Sequence, residues 1–216
     1  MDLQLKYIAD QCLLRGLLGM ELGLWGGKTG MAIFFFQLFR YTGNHWYEDF
    51  AVELLDNVCN DLSSCSPIVF ADGLCGIGWS IELLKSKGFV ESNTDEVLEE
   101  VDKRIMEWDV SRITDVSLEN GLMGIVAYVR SRLDSERVTN YQPFGTRYLE
   151  VLEYTCRKFG IDLYSDACSL QSVWHDVLQA FELQKCRDKC WWRQGILAME
   201  CRTMSVYISD EDTTER

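Results

Sequence analysis

The sequence predicts an all-α chain built from repeated helical hairpins, and three observations carry that reading. Only two prolines, Pro67 and Pro143, interrupt 216 residues, which leaves room for long helices. Apolar residues recur at helical spacing, and no period-2 stretch of any length is present. A glycine turn comes back three times, in GGKTGMAIFFFQL, DGLCGIGWSIELL and ENGLMGIVAYVRSRL. Aligning Gly27, Gly73 and Gly121 also aligns Gly30, Gly76 and Gly124, which lie 46 and then 48 residues apart. A period in the forties with one helix pair per unit marks a helical repeat.

Each element follows from its local pattern. Residues 3–14 give a leading helix with Leu3, Tyr7, Ile8 and Leu14 as its apolar stripe. The first unit opens with an apolar helix over 30–42, hydrophobic nearly all round and therefore buried on several sides. After the break TGNHW, a one-sided stripe of Trp46, Tyr47, Phe50, Ala51, Leu54, Leu55 and Val58 makes an outer helix, with Glu48, Asp49, Glu53 and Asp56 toward water. The second unit repeats this with Ile77, Trp79, Ile81, Leu83 and Leu84, then Val97, Leu98, Val101, Ile105 and Trp108, with Thr94 as N-cap. The third has Ile125, Val126, Tyr128, Val129 and Leu133, a break containing Pro143, and Tyr148, Leu149, Val151, Leu152, Cys156 and Phe159. A degenerate fourth unit carries Leu170, Val173, Trp174, Val177, Leu178 and Phe181, with DACS in place of the paired glycines. A last helix runs from about Lys189 to Met204, with Trp191, Ile196, Leu197 and Met204 as buried positions, giving about nine helices in all.

Composition bounds the function. With 47% hydrophobic and 12% aromatic residues the chain can bury a core. A net charge of −13 argues against nucleic acid, which needs a basic surface, and against docking on anionic lipid. Nine cysteines, an odd number scattered through helical segments, predict free thiols in a reduced, cytoplasmic setting. MDLQLKYIAD lacks the long apolar core of a signal peptide, and no run of about 18 apolar residues follows. The end, SDEDTTER, reads as a polar tail, with 209–216 outside the folded domain.

The first unit, GLWGGKTGMAIFFFQLFRYTGNHWYEDFAVELLDNV, resembles the repeats of lanthionine synthetase C-like proteins. Those pair a GxxG turn opening an inner helix with a TGxxxYxxxAxxLL outer helix. Gly27, Gly30, Thr42, Gly43, Tyr47, Ala51, Leu54 and Leu55 stand at the matching places, and the turns at Asp72 and Glu119 look like further copies. The resemblance covers residues 14–135 in motif and 140–205 in periodicity. It implies a single domain over 1–208 with the fold of an α/α toroid: inner helices ring an axis, outer helices wrap them, and the glycine turns gather at one mouth. It further implies a peptide bound at that mouth, here by Trp25, Lys28, Thr29, Asp72, Cys75, Trp79, Glu119 and Asn120.

Family enzymes use zinc to activate a cysteine thiolate that adds to a dehydroamino acid, and their ligands are a lone cysteine and a Cys-His-Gly motif. This chain has no Cys-His pair: its histidines are His45, in an inter-helix break, and His175, within the fourth stripe. The family ring commonly has seven hairpins against about four here. The reading is therefore a non-catalytic peptide- or protein-binding module of a peptide-modification system, with no cofactor expected. An incomplete arc would expose apolar flanks, so residues 1–15 are expected to cap one side and the other end to cap itself or form a homodimer.

Three chemical alternatives stand beside it. Gly73-x-x-Gly-x-Gly could cradle a phosphate, but it lacks the Lys-Ser/Thr and the preceding strand of a P-loop. Cys186, Cys190 and Cys201, with His175, could offer zinc ligands for a divergent cyclase, although structural zinc favours tighter spacing. Asp72 and Glu119 precede the glycines of neighbouring turns and could act as paired carboxylates of a carbohydrate-active α/α barrel, or simply cap helices. Cys75, beside a helix N-terminus, is either an activated thiol or an inert buried one.

Overall fold

A computed structural model of the chain describes residues 3–16, 21–62, 67–91, 93–137, 140–183 and 192–199. Eight helices are α1 (Leu3–Gly16), α2 (Lys28–Thr42), α3 (His45–Asp61), α4 (Leu74–Ser86), α5 (Thr94–Met106), α6 (Leu122–Asp134), α7 (Thr146–Lys158) and α8 (Leu170–Leu183). Residues 192–199 form a ninth, α9. Among the described residues no strand occurs, so the all-α expectation holds. The segment 209–216 lies outside the described residues.

Two hairpins follow the expected design. In the first, Gly43 ends α2 at φ 69°, a left-handed conformation open to glycine, and its N–H donates to the Phe39 carbonyl. Asn44 then caps α3 by accepting from the Trp46 N–H. Residues Thr29–Phe36 of α2 are all buried, as the all-round apolarity requires. The second hairpin puts α4 at the centre of the molecule: every residue from Leu74 to Leu84 is buried. Its outer helix is capped by Asn93 rather than Thr94. Thr94 is buried instead and donates its hydroxyl to Glu82 Oε1 at 3.1 Å, a use that sequence spacing cannot reveal.

The later helices change direction. Ser135 and Glu136, just past α6, lie beside Lys85 at the far end of α4. The chain then runs back, with Tyr141 bonded to Asp102 and the Gly145 N–H against Met106 Sδ at the end of α5. So α7 starts from the glycine-turn end, and not from the far end as α3 and α5 do. In consequence α8 is antiparallel to α2, α4 and α6. Leu170 at its start shares a cavity wall with Ser86 and Ser135, whereas Phe181 near its end meets Trp25 in the first turn, with centroids 6.0 Å apart.

The arc of inner helices is closed by packing within the chain. Trp174 of α8 stacks on Trp79 of α4 at 6.2 Å, and Trp192 of α9 meets Phe181 at 5.5 Å. The helix α9 lies on α2, where a Cβ on Gly30 would overlap the Trp192 ring and one on Gly195 the Phe34 ring. Arg193 donates to the Trp25 carbonyl, so the last described helix is tied to the first turn. The helix α1 also packs on α2, and it buries Leu5, Ile8, Ala9 and Cys12, at i, i+3, i+4, i+7 spacing. Three residues of the anticipated stripe, Leu3, Tyr7 and Leu14, are exposed instead. Trp46 and Trp108 are likewise exposed, each at or beyond a helix end where the stripe leaves the core.

Candidate functional site

The three glycine turns share one backbone plan. The first N–H of each inner helix reaches back seven residues: Lys28 to the Glu21 carbonyl (2.9 Å), Leu74 to Pro67 (2.8 Å) and Leu122 to Asp115 (2.8 Å). Each hydrogen bond closes a tight loop that leaves no space above the glycines. A Cβ on Gly27, Gly73 or Gly121 would collide with the carbonyl oxygen of Glu21, Pro67 or Asp115. One on Gly30, Gly76 or Gly124 would collide with that of Leu24, Phe70 or Leu118. The capping glycines have φ of −123°, −135° and −117°, which any residue adopts, so close approach and not conformation demands glycine here. These turns are loop closures of the fold, and the nucleotide reading has no support in them.

Adjacent turns are laced together side by side. The Trp25 N–H donates to the Ala71 carbonyl at 2.8 Å, and the Ala71 N–H donates to the Glu119 carbonyl at 2.9 Å. Trp25, Ala71 and Glu119 are therefore the equivalent positions, and Gly26, Asp72 and Asn120 are the next set. Asp72 and Glu119 are one register apart, which corrects their sequence-level pairing. Asp72 spans two turns, since its Oδ1 accepts the N–H groups of Trp25 (3.0 Å) and Gly26 (2.7 Å). Its matching residue, Asn120, makes no such bridge; its own N–H donates to Ser117 Oγ at 3.3 Å.

The proposed mouth residues separate into two groups. Asp72 and Asn120 are exposed, and Lys28 and Glu119 half-buried, all along this laced rim. Trp25, Thr29, Cys75 and Trp79 are buried. Thr29 donates its hydroxyl to the Leu22 carbonyl at 2.6 Å, closing the first turn. Trp79 sits between Phe70 and Trp174 in the core. Burial drives the Cys75 thiol far above its ordinary value, so it is a neutral core group and not an activated nucleophile.

The zinc chemistry of the resemblance needs ligands that the described residues do not bring together. Among them, no three His, Cys, Asp or Glu side chains form a group able to hold a metal ion. His45 is exposed and pairs with Glu48 through Nδ1 at 2.8 Å, and His175 is exposed beside Gln179. The donor set present among the described residues does not fit zinc. Cys186, Cys190 and Cys201 lie outside the described residues.

A second polar assembly escaped sequence reading. Arg132 of α6 is fully buried and joins α4 and α5: NH1 meets Glu82 Oε1 at 2.6 Å, and NH2 meets Asp102 Oδ2 at 2.8 Å and Asp95 Oδ1 at 3.0 Å. Tyr128 donates to Asp102 Oδ1 at 2.5 Å, and Tyr141 to Oδ2 at 3.3 Å. Burial raises the Asp102 carboxyl above its ordinary range, against the opposing pull of Arg132. The signal was available: Asp102 and Glu82 sit among apolar residues on faces that helical spacing buries. This cluster binds the second and third units together and leaves no solvent access to Asp102.

The described helices include none long and apolar enough to cross a membrane. Searches of curated proteins and of solved structures found no significant match. The family model for lanthionine synthetase C-like protein matches residues 20–173, the span that holds the three glycine turns and the helices they open. With more than half of its length matched, and with an all-helical fold whose inner helices start from laced glycine turns, the chain belongs to the lanthionine synthetase C-like family.

Proposed function

We propose that this chain is a peptide- or protein-binding module of a peptide-modification system, which holds its ligand along the glycine-turn rim and performs no zinc-dependent cyclisation itself. The observation that carries this reading is the rim: three turns hydrogen-bonded in series, with Asp72 and Asn120 exposed at matching positions. A rigid edge presenting carboxylate and amide groups at repeat spacing suits an extended polypeptide, whose N–H and C=O groups also recur along its length. Asp72 keeps an acceptor oxygen beyond the one used on Trp25 and Gly26, and Lys28 adds a cation at the same edge. The sequence contains no Cys-His pair for the family's zinc motif.

The test is panning of a linear peptide display library on the purified chain. Enriched peptides are expected to bind in the micromolar range and to lose about tenfold in affinity on K28A/N120A, about 1.4 kcal/mol. Peptides that bind that variant as well as the wild type, or a library that returns no binder, overturn the rim reading. Formation of thioether rings in a dehydrated peptide by the isolated chain overturns the non-catalytic part.

A further inference from the structure

The exposed large apolar side chains are unevenly spread over the outer helices. Trp46 and Val52 of α3 are exposed, as are Val151 and Tyr154 of α7, whereas α5 exposes none. Single exposed apolar residues need no explanation, but groups of them on one helix face mark a contact surface.

The charges beside these residues are unspent and opposite in sign. On α7, Arg147, Val151, Tyr154 and Lys158 follow at i, i+4, i+7 and i+11, which makes them one exposed stripe. Arg147 makes no ion pair among the described residues, and Lys158 lies over the Tyr154 ring at 4.6 Å. Glu150 and Glu153 lie off this line, and Glu153 is held by Arg157 at 3.0 Å. On α3, Asp49, Val52, Glu53 and Asp56 follow at i, i+3, i+4 and i+7 and are likewise exposed. None of those three carboxylates is in an ion pair among the described residues, and α3 contains no lysine or arginine. Each stripe thus sets apolar side chains between like charges, acidic on α3 and basic on α7.

The two faces cannot meet within one molecule, because α5 lies between them. Arg104 of α5 donates to the Leu62 carbonyl just past α3 at 3.4 Å, and the Gly145 N–H just before α7 meets Met106 Sδ of α5 at 3.3 Å. We infer that α3 and α7 are the two halves of a head-to-tail contact between copies of this chain. With two copies upright side by side, α3 of one and α7 of the next run antiparallel, since α3 ends and α7 starts at the glycine-turn end. Arg147 then comes to Asp56 and Lys158 to Asp49, with Val52 against Val151 and Tyr154. The acids are about 10 Å apart along α3 and the cations about 16 Å apart along α7, a difference that the two long basic side chains span. Because the two surfaces differ, the contact is heterologous and extends beyond a dimer. One helix pair buries less than a stable interface needs, and a net charge of −13 opposes association, so the contact is weak. No rim residue takes part, and the contact stands apart from the peptide reading.

Sedimentation velocity on the full chain in about 150 mM salt tests the assignment. The weight-average mass is expected to rise between about 10 and 500 µM and to pass that of a dimer. R147E/K158E and D49K/D56K should each associate at least tenfold more weakly. An equimolar mixture of the two should associate as the wild type does, because each reversed face then finds its opposite. D49K/D56K also lowers the net negative charge, so general repulsion falls and its loss of association is owed to the lost pairing. All four side chains are exposed, and R147Q/K158Q, which only removes charge, decides the matter by its weaker association if a reversal variant misfolds. A chain that stays monomeric at about 500 µM overturns the proposal and leaves the α7 face to a different protein. Association unchanged in a double variant, or a mixture of folded variants that does not recover it, overturns the proposal as well.

Discussion

Gly76 lies directly beneath Phe70, so that a single methyl group on Gly76 would overlap the Phe70 carbonyl oxygen. That oxygen belongs to the backbone of a loop whose neighbours are fixed on both sides: Ala71 bonds to the third turn and to the first. Relief would require moving three turns together.

Gly76→Ala is therefore expected to destabilise the fold by about 3 kcal/mol or more, read as a shift in the urea midpoint. Gly145→Ala is the control. Nothing lies within 4 Å of a Cβ built there, and φ is −69°. Its loss of cap preference and its entropic gain offset each other, for a net change under about 0.5 kcal/mol. Equal effects at the two sites would refute the close-approach account.

Cys75 is sealed in the core and Cys59 is half-buried, and burial raises both thiols above their ordinary value. Alkylation of the native protein near pH 8, followed by peptide mass spectrometry, should modify Cys59 slowly and leave Cys75 untouched until denaturant is added. Labelling of Cys75 at the rate of Cys59 would restore it as an accessible rim thiol.

The reversed course of α8 makes a topological prediction. A photo-crosslinking phenylalanine at position 170 is expected to capture the 134–136 segment, and none of the rim residues around Asn120. Capture at the rim would mean that the fourth unit copies the direction of the first three. Truncating Trp174 to Ala should cost about 3–5 kcal/mol, because it removes the ring that stacks on Trp79.

Legibility tracked the kind of signal each residue carries. The glycines of the turns were readable because steric exclusion leaves the same mark three times at one period. The apolar stripes of α3 and α8 were readable because burial on one face of a helix has a period, and α2 because its apolarity runs all round. Chain direction has no such mark: nothing in the spacing of Leu170 and Phe181 tells which end faces Trp25. The pairing of Asp72 with Glu119 was off by one although aligning Gly73 with Gly121 already sets Asp72 opposite Asn120; the hydrogen bonds between turns keep the register of the glycines. Thr94 and Asn93 both suit an N-cap, and the choice fell to Asn93 because Thr94 is drawn into the Glu82–Arg132 network.

That network makes the sharpest energetic prediction. Arg132 compensates Glu82, Asp95 and Asp102, all of them buried. Arg132→Met keeps the length and removes the charge, leaving carboxylates that must be protonated or stay unpaired. The expected loss is about 3–5 kcal/mol at neutral pH. Lowering the pH from about 7 to about 5 should shrink the gap from wild type, since protonation removes the uncompensated charge. The wild type carries a smaller version of this effect. Its Asp102 carboxyl titrates above the ordinary value of 3.8, so the unfolded chain loses that proton first as pH rises. The contribution of Asp102 to stability is therefore full below the ordinary value and falls as pH climbs through the raised folded value. In Asp102→Asn that component of the pH dependence should vanish, while Arg132 retains Glu82 and Asp95. Denaturation curves across this pH range decide the point: a slope unchanged in Asp102→Asn would mean that another group carries it.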